Sequence, residues 1–188
     1  MQFNALLAHE RVMPEQVDVI SQGFSMTPFL EDRLDVASAM IYNEYYMVLA
    51  SGVEPEELEV IDYADWDIGF PGDVLFTSTL LKTQNPDLCV RMLRASLKGW
   101  QYALDHLEEA ARIVVTQDRT GVAKIDHQRK MMKEIAILVK GKAGSKLGYA
   151  DTTTLEKMIR LLEQNRVLSE PLPPEQIYTT QFIDKLNR

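Results

Sequence analysis

The stretch LDVASAMIYNEYYMVLASG at residues 34–52 decides the fold that the sequence predicts. The apolar run in its first half has strand length, and its second half continues on helical spacing to Gly52. Glycine suits the left-handed position that follows many helix ends. Between the predicted strand and helix stand Tyr42, Asn43 and Glu44. Open parallel sheets bind ligands outside the carboxyl ends of their strands, so these three residues are the first binding-site candidates.

A second interpretation of the same turn is purely local. Asn is among the commonest residues at a helix N-cap, and a Tyr-Asn-Glu turn can simply cap the helix and face water. The sequence leaves both interpretations open.

Apolar runs of strand length recur along the first part of the chain. They lie at residues 17–20, 36–41, 58–61 and 74–77. Helical segments and short loops separate them, which is typical of βαβ units. We therefore predict an α/β fold in which a short parallel sheet brings the carboxyl ends of its strands to one rim.

The rim of the predicted sheet carries polar and aromatic residues. Those after the first predicted strand are Gln22, Gly23, Phe24 and Ser25, and those after the third are Asp62 and Tyr63. The glycine permits a close approach by a ligand or by another backbone. Polar and aromatic residues together suit the binding of a flat, neutral or cationic small molecule.

The second half of the sequence is predicted to be mainly helical. Asn-Pro-Asp at residues 85–87 has the form of a helix start, and an apolar stripe follows from residue 89 to 114 with a break near residues 105–106. Residues 125–139 continue the helical character, and Asp151 can cap another helix.

Composition and motifs exclude several classes of function. A formal charge of −8, with basic residues scattered among acids, argues against a nucleic-acid partner. The single Cys89 rules out an internal disulfide, and no apolar run has the length of a membrane span. His106 and Glu109 lack further ligands for a metal. No catalytic motif or cofactor motif is recognisable, so we predict a protein that is not an enzyme and needs no cofactor or metal.

Five segments of the chain resemble one family of proteins. They are QGFSMTPFL, DVASAMIYNEYYMVLASGV, GFPGDVLFTSTLL, NPDLCVRMLRASLKGWQYAL and LPPEQIYTTQF. The family is that of the thiamine-pyrimidine-precursor binding proteins, which are substrate-binding components of ABC importers. These proteins share a fold with the fungal enzyme that makes the hydroxymethylpyrimidine of thiamine. The resemblance covers essentially the whole chain.

The resemblance implies a periplasmic-binding-protein fold of type II, in which two α/β lobes close on a small molecule. Residues 1–67 resemble the second lobe, residues 68–84 the return crossing or hinge, and residues 85–188 the mainly helical remainder of the first lobe. The family's opening portion, with its secretion signal, is missing, and Met1 falls within a second-lobe helix. Full-length members are periplasmic or extracytoplasmic, whereas this chain as written carries no signal peptide and would stay in the cytoplasm.

The function implied by the resemblance is that of a truncated solute-binding component of an ABC importer. Its ligand would be a thiamine pyrimidine precursor or a similar small heteroaromatic molecule, with Tyr42 stacking on the ring and Asn43 or Glu44 pairing with its nitrogen and amino groups. Its protein partner would be an ABC permease. Two alternatives are a pyrimidine-precursor synthase-like enzyme and a remnant that binds nothing.

The resemblance also implies an exposed apolar surface. The carboxyl-terminal helices would normally pack on strands that this chain lacks, which leaves Leu93, Leu97 and Trp100 uncovered. Because large exposed apolar patches usually find a partner, we expect self-association, a rearranged packing or poor solubility.

Overall fold

The computed structural model describes residues 2–141 and 145–186 of the 188-residue chain. Met1, which the sequence places within a helix, lies outside the described residues. The helices are α1 (Gln2–His9), α2 (Thr27–Leu30), α3 (Glu44–Ala50), α4 (Thr79–Gln84), α5 (Pro86–Asp105), α6 (Leu107–Gln117), α7 (Ile125–Lys140), α8 (Thr152–Gln164) and α9 (Pro174–Ile177). Short 3-10 turns lie at Pro14–Gln16 and Pro55–Glu57.

The predicted short parallel sheet is wrong, and with it the α/β, periplasmic-binding-protein-like fold class. Across residues 2–141 and 145–186 the structure contains helices and turns but no β-strand. The four apolar runs lie outside the helices and expose much of their surface, with Val19 65%, Val36 66% and Phe76 92% exposed. An apolar run supplies strand propensity, but a strand exists only where a neighbour completes its hydrogen-bond ladder. In the described residues these runs do not pair with one another.

The helix boundaries follow the local signals in the sequence. Helix α5 begins at Pro86, immediately after Asn85, and α5 and α6 are separated by the predicted break at His106. Gly52 follows α3 with a φ of 101°, a left-handed conformation that glycine adopts without steric cost. Asp151 caps α8 by accepting hydrogen bonds from the backbone N–H groups of two threonines in its first turn. These predictions are confirmed because capping and helix breaking depend on nearby residues alone.

The described chain separates into two compact units. The first comprises residues 2–19, 60–98 and 145–186, and the second comprises residues 20–59 and 99–141. The lobe boundaries that the resemblance implies, at residues 67 and 84, stay a prediction.

The first unit has a small core around α1. Its buried members are Ala5 and Leu6 of α1 together with Ile68, and Tyr63, Trp66 and Leu161 pack against them. The side chain of Gln2 donates a 3.0 Å hydrogen bond to the carbonyl oxygen of Ile68. This bond fixes the start of α1 to the chain that follows Trp66.

The second unit is built around the packing of α6 on α7. Ala110 and Ala111 of α6 are buried against Met132 of α7. The small alanine side chains let the two helices approach closely, and Ala103, Leu107 and Ile125 pack against the cluster. Helix α7 also contacts α3. It therefore links the core of this unit to the segment that follows Tyr42.

The residues expected to form an uncovered apolar face are partly covered. Leu93 and Leu97 are half-buried, whereas Trp100 is 40% exposed. Self-association through this face stays a prediction. None of the helices in the described residues is both long enough and apolar enough to cross a lipid bilayer.

Candidate functional site

The turn before α3 is held by the carboxylate of Glu44, the first residue of the helix. Its Oε2 accepts a 2.9 Å hydrogen bond from the backbone N–H of Met40, and its Oε1 accepts a 3.1 Å bond from the side-chain amide of Asn43. Asn43 occupies the N-cap position, yet its side chain makes no capping hydrogen bond. The local interpretation, in which Asn43 is present in order to cap the helix, therefore has no support from this geometry.

The side chain of Asn43 instead contacts α7. Its Oδ1 lies 2.9 Å from Nε2 of His127, which is 84 residues further along the chain. Both side chains are half-buried. This contact joins the turn at residues 42–44, called the candidate turn below, directly to a helix in the second half of the sequence.

A second polar contact joins the same two helices one turn further on. The hydroxyl of Tyr46 donates a 2.5 Å hydrogen bond to Oε1 of Glu134, and Nζ of Lys130 lies 5.7 Å from the centre of the Tyr46 ring. The bond to Glu134, with smaller contributions from burial and from the nearby negative charge, raises the pKa of Tyr46 to about 12. The phenol therefore keeps its proton, and with it the hydrogen bond, to a higher pH than an ordinary tyrosine would.

The spacing of these partners explains why they meet. Asn43 and Tyr46 are three residues apart, at the start and in the first turn of α3. His127, Lys130 and Glu134 are spaced at i, i+3 and i+7 on α7 and so share one face of that helix. Two short polar rows on facing helices therefore fix the candidate turn.

Residues 22–25, which follow the first apolar run, lie in different environments. The side-chain amide of Gln22 makes two 2.8 Å hydrogen bonds with the backbone of Ser38, donating to its carbonyl oxygen and accepting from its N–H. This pair ties Gln22 to the segment that leads into the candidate turn. Ser25 accepts a 3.2 Å hydrogen bond from the backbone N–H of Thr27, and Phe24 is 94% exposed. A side chain at Gly23 would meet nothing within 4 Å, so the space beside it is open.

Only some of the residues predicted for the rim of the sheet lie in the same unit. Tyr42, Asn43 and Glu44 lie in the second unit, and Gln22 is joined to their segment four residues before Tyr42. Asp62 and Tyr63 belong to the first unit. There, Asp62 accepts a 2.8 Å hydrogen bond from the N–H of Ala64, and burial raises the pKa of the Tyr63 phenol.

Sequence reasoning missed the residues of α7 that hold the turn. His127 has no partner that can be recognised from the sequence, because Asn43 lies 84 positions away. The available signal was the polar row at 127, 130 and 134 on a helix whose other face is apolar. That pattern indicates that something polar contacts the helix, but it does not identify the partner.

His106 and Glu109 also lie in the second unit. Among the described residues, no group of three His, Cys, Asp or Glu side chains could hold a metal ion. The ring of His106 lies 4.4 Å from that of Tyr102, whose hydroxyl donates a 2.7 Å hydrogen bond to Glu109. Tyr102 thus links the two residues across the break between α5 and α6.

Comparison with known proteins gives the class of this chain. The family described as NMT1/THI5 like matches residues 1–110, which is more than half of the sequence. The chain belongs to the NMT1/THI5-like family, and the family resemblance drawn from its sequence is confirmed. The missing amino-terminal lobe that the resemblance implied stays a prediction. No solved structure matches it significantly.

A particular relative is the riboflavin-binding protein RibY of Chloroflexus aurantiacus. It is 25% identical over 174 residues, which cover 89% of this chain and 48% of the relative. The chain thus spans about half the length of the curated relative that it matches. The relative's name describes a binding protein rather than an enzyme.

Proposed function

We propose that this chain is part of a solute-binding component of an importer and that it takes a small heteroaromatic molecule. The solute contacts the turn formed by Tyr42, Asn43 and Glu44. Tyr42 stacks on the ring, while Asn43 and Glu44 hydrogen-bond to its polar edge. Gln22, Gly23, Phe24 and Ser25 complete the site.

The observation that carries this proposal is the way in which the turn is held. Asn43 and Glu44 are half-buried polar side chains that are hydrogen-bonded to each other. Asn43 is also hydrogen-bonded to His127 on another helix, so the orientations of both side chains are fixed. A polar group that is fixed before binding loses little conformational entropy when a ligand arrives. Aromatic stacking together with a hydrogen bond to a charged group supplies roughly 2–4 kcal/mol.

Family membership supports the class of ligand. The relative is named as a binding protein for riboflavin, a heteroaromatic compound, and the sequence resemblance implies a pyrimidine precursor of thiamine. Both compounds offer a flat ring with hydrogen-bonding groups along one edge. We propose further that the complete protein works outside the cytoplasmic membrane and delivers its solute to an ABC permease.

Titration of this chain with riboflavin and with 4-amino-5-hydroxymethyl-2-methylpyrimidine tests the proposal. Quenching of flavin fluorescence follows the first ligand, and calorimetry follows the second. We expect saturable binding of at least one of them and no binding of a sugar. Absence of binding to both compounds contradicts the proposed function.

A pair of matched variants tests the role of Glu44. The carboxylate of Glu57 accepts a 2.8 Å hydrogen bond from the N–H of Glu54, as Glu44 does from Met40, but it lies in a 3-10 turn outside the proposed site. Glu44→Gln should weaken binding about tenfold because a charged acceptor is lost, whereas Glu57→Gln should leave it unchanged. Equal effects of the two changes would remove Glu44 from the site.

A further inference from the structure

The hydrogen bonds around Asn43 have only one consistent direction. The carboxylate of Glu44 is an acceptor, so the atom of Asn43 that lies 3.1 Å from it must be the donor Nδ2. The carbonyl oxygen Oδ1 then faces His127, and Nε2 of His127 must carry the proton that it donates across 2.9 Å. The bonds therefore run in sequence from His127 to Asn43 and from Asn43 to Glu44.

This direction determines what the turn can offer to a ligand. One N–H of the Asn43 amide is used by Glu44, and the second remains for a ligand. The Glu44 carboxylate has roughly four lone-pair sites, of which the bonds from Met40 and Asn43 use two. A donor and an acceptor therefore stand side by side. If the Asn43 amide were reversed, its oxygen would face the carboxylate and the donor would be lost.

We propose that His127 is a positioning residue, which holds the Asn43 amide so that the site selects rings carrying an acceptor beside a donor. This inference rests on the proposed solute-binding function. Riboflavin has such an edge, where a ring carbonyl lies next to the N3–H group. Aminopyrimidines have one where a ring nitrogen lies next to the amino group. His127 thus contributes to specificity through Asn43 without contacting the solute.

Two variants separate this role from a general contribution to folding. His127→Gln retains a side-chain N–H at a similar reach, whereas His127→Leu keeps the bulk and removes the donor. We expect His127→Leu to weaken riboflavin binding about three- to tenfold and His127→Gln to restore most of the affinity. The second readout is the affinity ratio of riboflavin to its 2-thio or 4-thio derivative, in which sulfur, a weak acceptor, replaces a carbonyl oxygen beside N3–H. That ratio should fall towards one in His127→Leu, and a merely structural role would leave it unchanged.

A spectroscopic measurement checks the hydrogen-bond direction without any ligand. The ¹⁵N chemical shifts of the His127 ring should report the tautomer with the proton on Nε2, and the proton on Nδ1 would overturn the inference. If wild-type protein binds flavin but the affinity ratio is unchanged in His127→Leu, the positioning role fails while the proposed function stands. If wild-type protein binds neither riboflavin nor the aminopyrimidine, both fail.

Discussion

The hydroxyl of Tyr46 donates a hydrogen bond to the carboxylate of Glu134, a residue 88 positions further along the chain. Together with the contact between Asn43 and His127, this bond fixes α3 to α7. The candidate turn is therefore positioned by the second half of the sequence, although every residue first proposed for the site lies in the first half.

The ionisation of Tyr46 provides a direct test of this bond. Its pKa of about 12 in the folded protein lies above the ordinary value of 10.0. Because the folded-state pKa is raised, the bond stabilises the fold fully below pH 10, and this stabilisation is lost as the pH rises through 12. The absorbance of tyrosinate at 295 nm, taken as wild type minus Tyr46→Phe, should titrate with a midpoint near pH 12.

The control for this titration is Glu134→Gln. It removes the charge that disfavours tyrosinate, so the Tyr46 midpoint should move down towards 10. A wild-type midpoint already near 10 would show that the bond is absent in solution.

The ion pairs of Glu108, within α6 and across to α7, predict a response to acid. Arg129 forms hydrogen bonds of 2.7 and 2.8 Å with the two oxygens of Glu108, and Arg112 adds a bond of 2.9 Å. These contacts lower the pKa of Glu108 from 4.5 to about 2. Since the folded-state pKa is depressed, the stabilisation is present above pH 4.5 and is lost as the pH falls towards 2. Glu108→Gln should therefore lower the melting temperature slightly at pH 7 and have no effect near pH 2.

Glu156→Gln is a suitable comparison for Glu108→Gln. Glu156 makes an exposed i,i+4 pair with Arg160 at 3.8 Å, too long for a strong hydrogen bond. Its removal should leave the melting temperature nearly unchanged at both pH values. A loss from Glu108→Gln that persists near pH 2 would mean that the ion pairs are not its cause.

Replacement of glycine by alanine should have opposite effects on stability at two positions of the chain. Gly148 has a φ of 85°, and a Cβ there would lie 2.7 Å from Cδ2 of Leu97 and 2.8 Å from Cδ1 of Ile183. Gly148→Ala should therefore lower the free energy of unfolding by about 1 kcal/mol or more. Gly99 lies within α5 with open space beside it, so Gly99→Ala should raise that free energy by about 0.5–1 kcal/mol.

Urea denaturation of the two variants measures both effects. The same atoms are added in each case, so the difference between the two variants comes from the local surroundings of the two glycines, the helix at Gly99 and the crowded left-handed position at Gly148. Similar shifts of the two midpoints, in the same direction, would contradict the described environment of Gly148.

The double hydrogen bond between Gln22 and Ser38 predicts a residue-specific effect on amide exchange. The N–H of Ser38 donates to Oε1 of Gln22. Gln22→Leu removes that acceptor, so exchange of the Ser38 amide hydrogen should become severalfold faster. Gln22→Glu keeps an acceptor and should retain the protection. Hydrogen exchange followed by NMR distinguishes the two variants, and a Ser38 amide that exchanges equally fast in all three proteins would contradict the pairing.

Local features of the fold could be predicted from the sequence, whereas the absence of a sheet from the described residues could not. The start of α5 after Asn85, the left-handed Gly52 and the cap by Asp151 each depend on a few neighbouring residues. The apolar runs at 17–20 and 36–41 have the composition of strands, but whether a strand forms depends on a partner elsewhere. Composition does not reveal whether that partner is present.

The candidate site likewise contains residues that the sequence identified and residues that it did not. Tyr42, Asn43 and Glu44 were identified from their position between an apolar run and a helix. His127 and Glu134 were not, since only the folded chain brings them to α3. The sequence contains the polar row on α7, but pairing that row with α3 requires knowledge of how α7 packs.

The exposed segment at residues 74–76 has a practical consequence for anyone purifying this protein. Val74, Leu75 and Phe76 are 70%, 64% and 92% exposed. They open the uncharged stretch at residues 74–79, which has the length and composition of segments that stack into aggregates. At neutral pH the formal charge of −8 keeps molecules apart, but that repulsion disappears as the pH approaches the isoelectric point of about 4.9. Concentrated samples should stay clear above pH 7 and turn cloudy near pH 5.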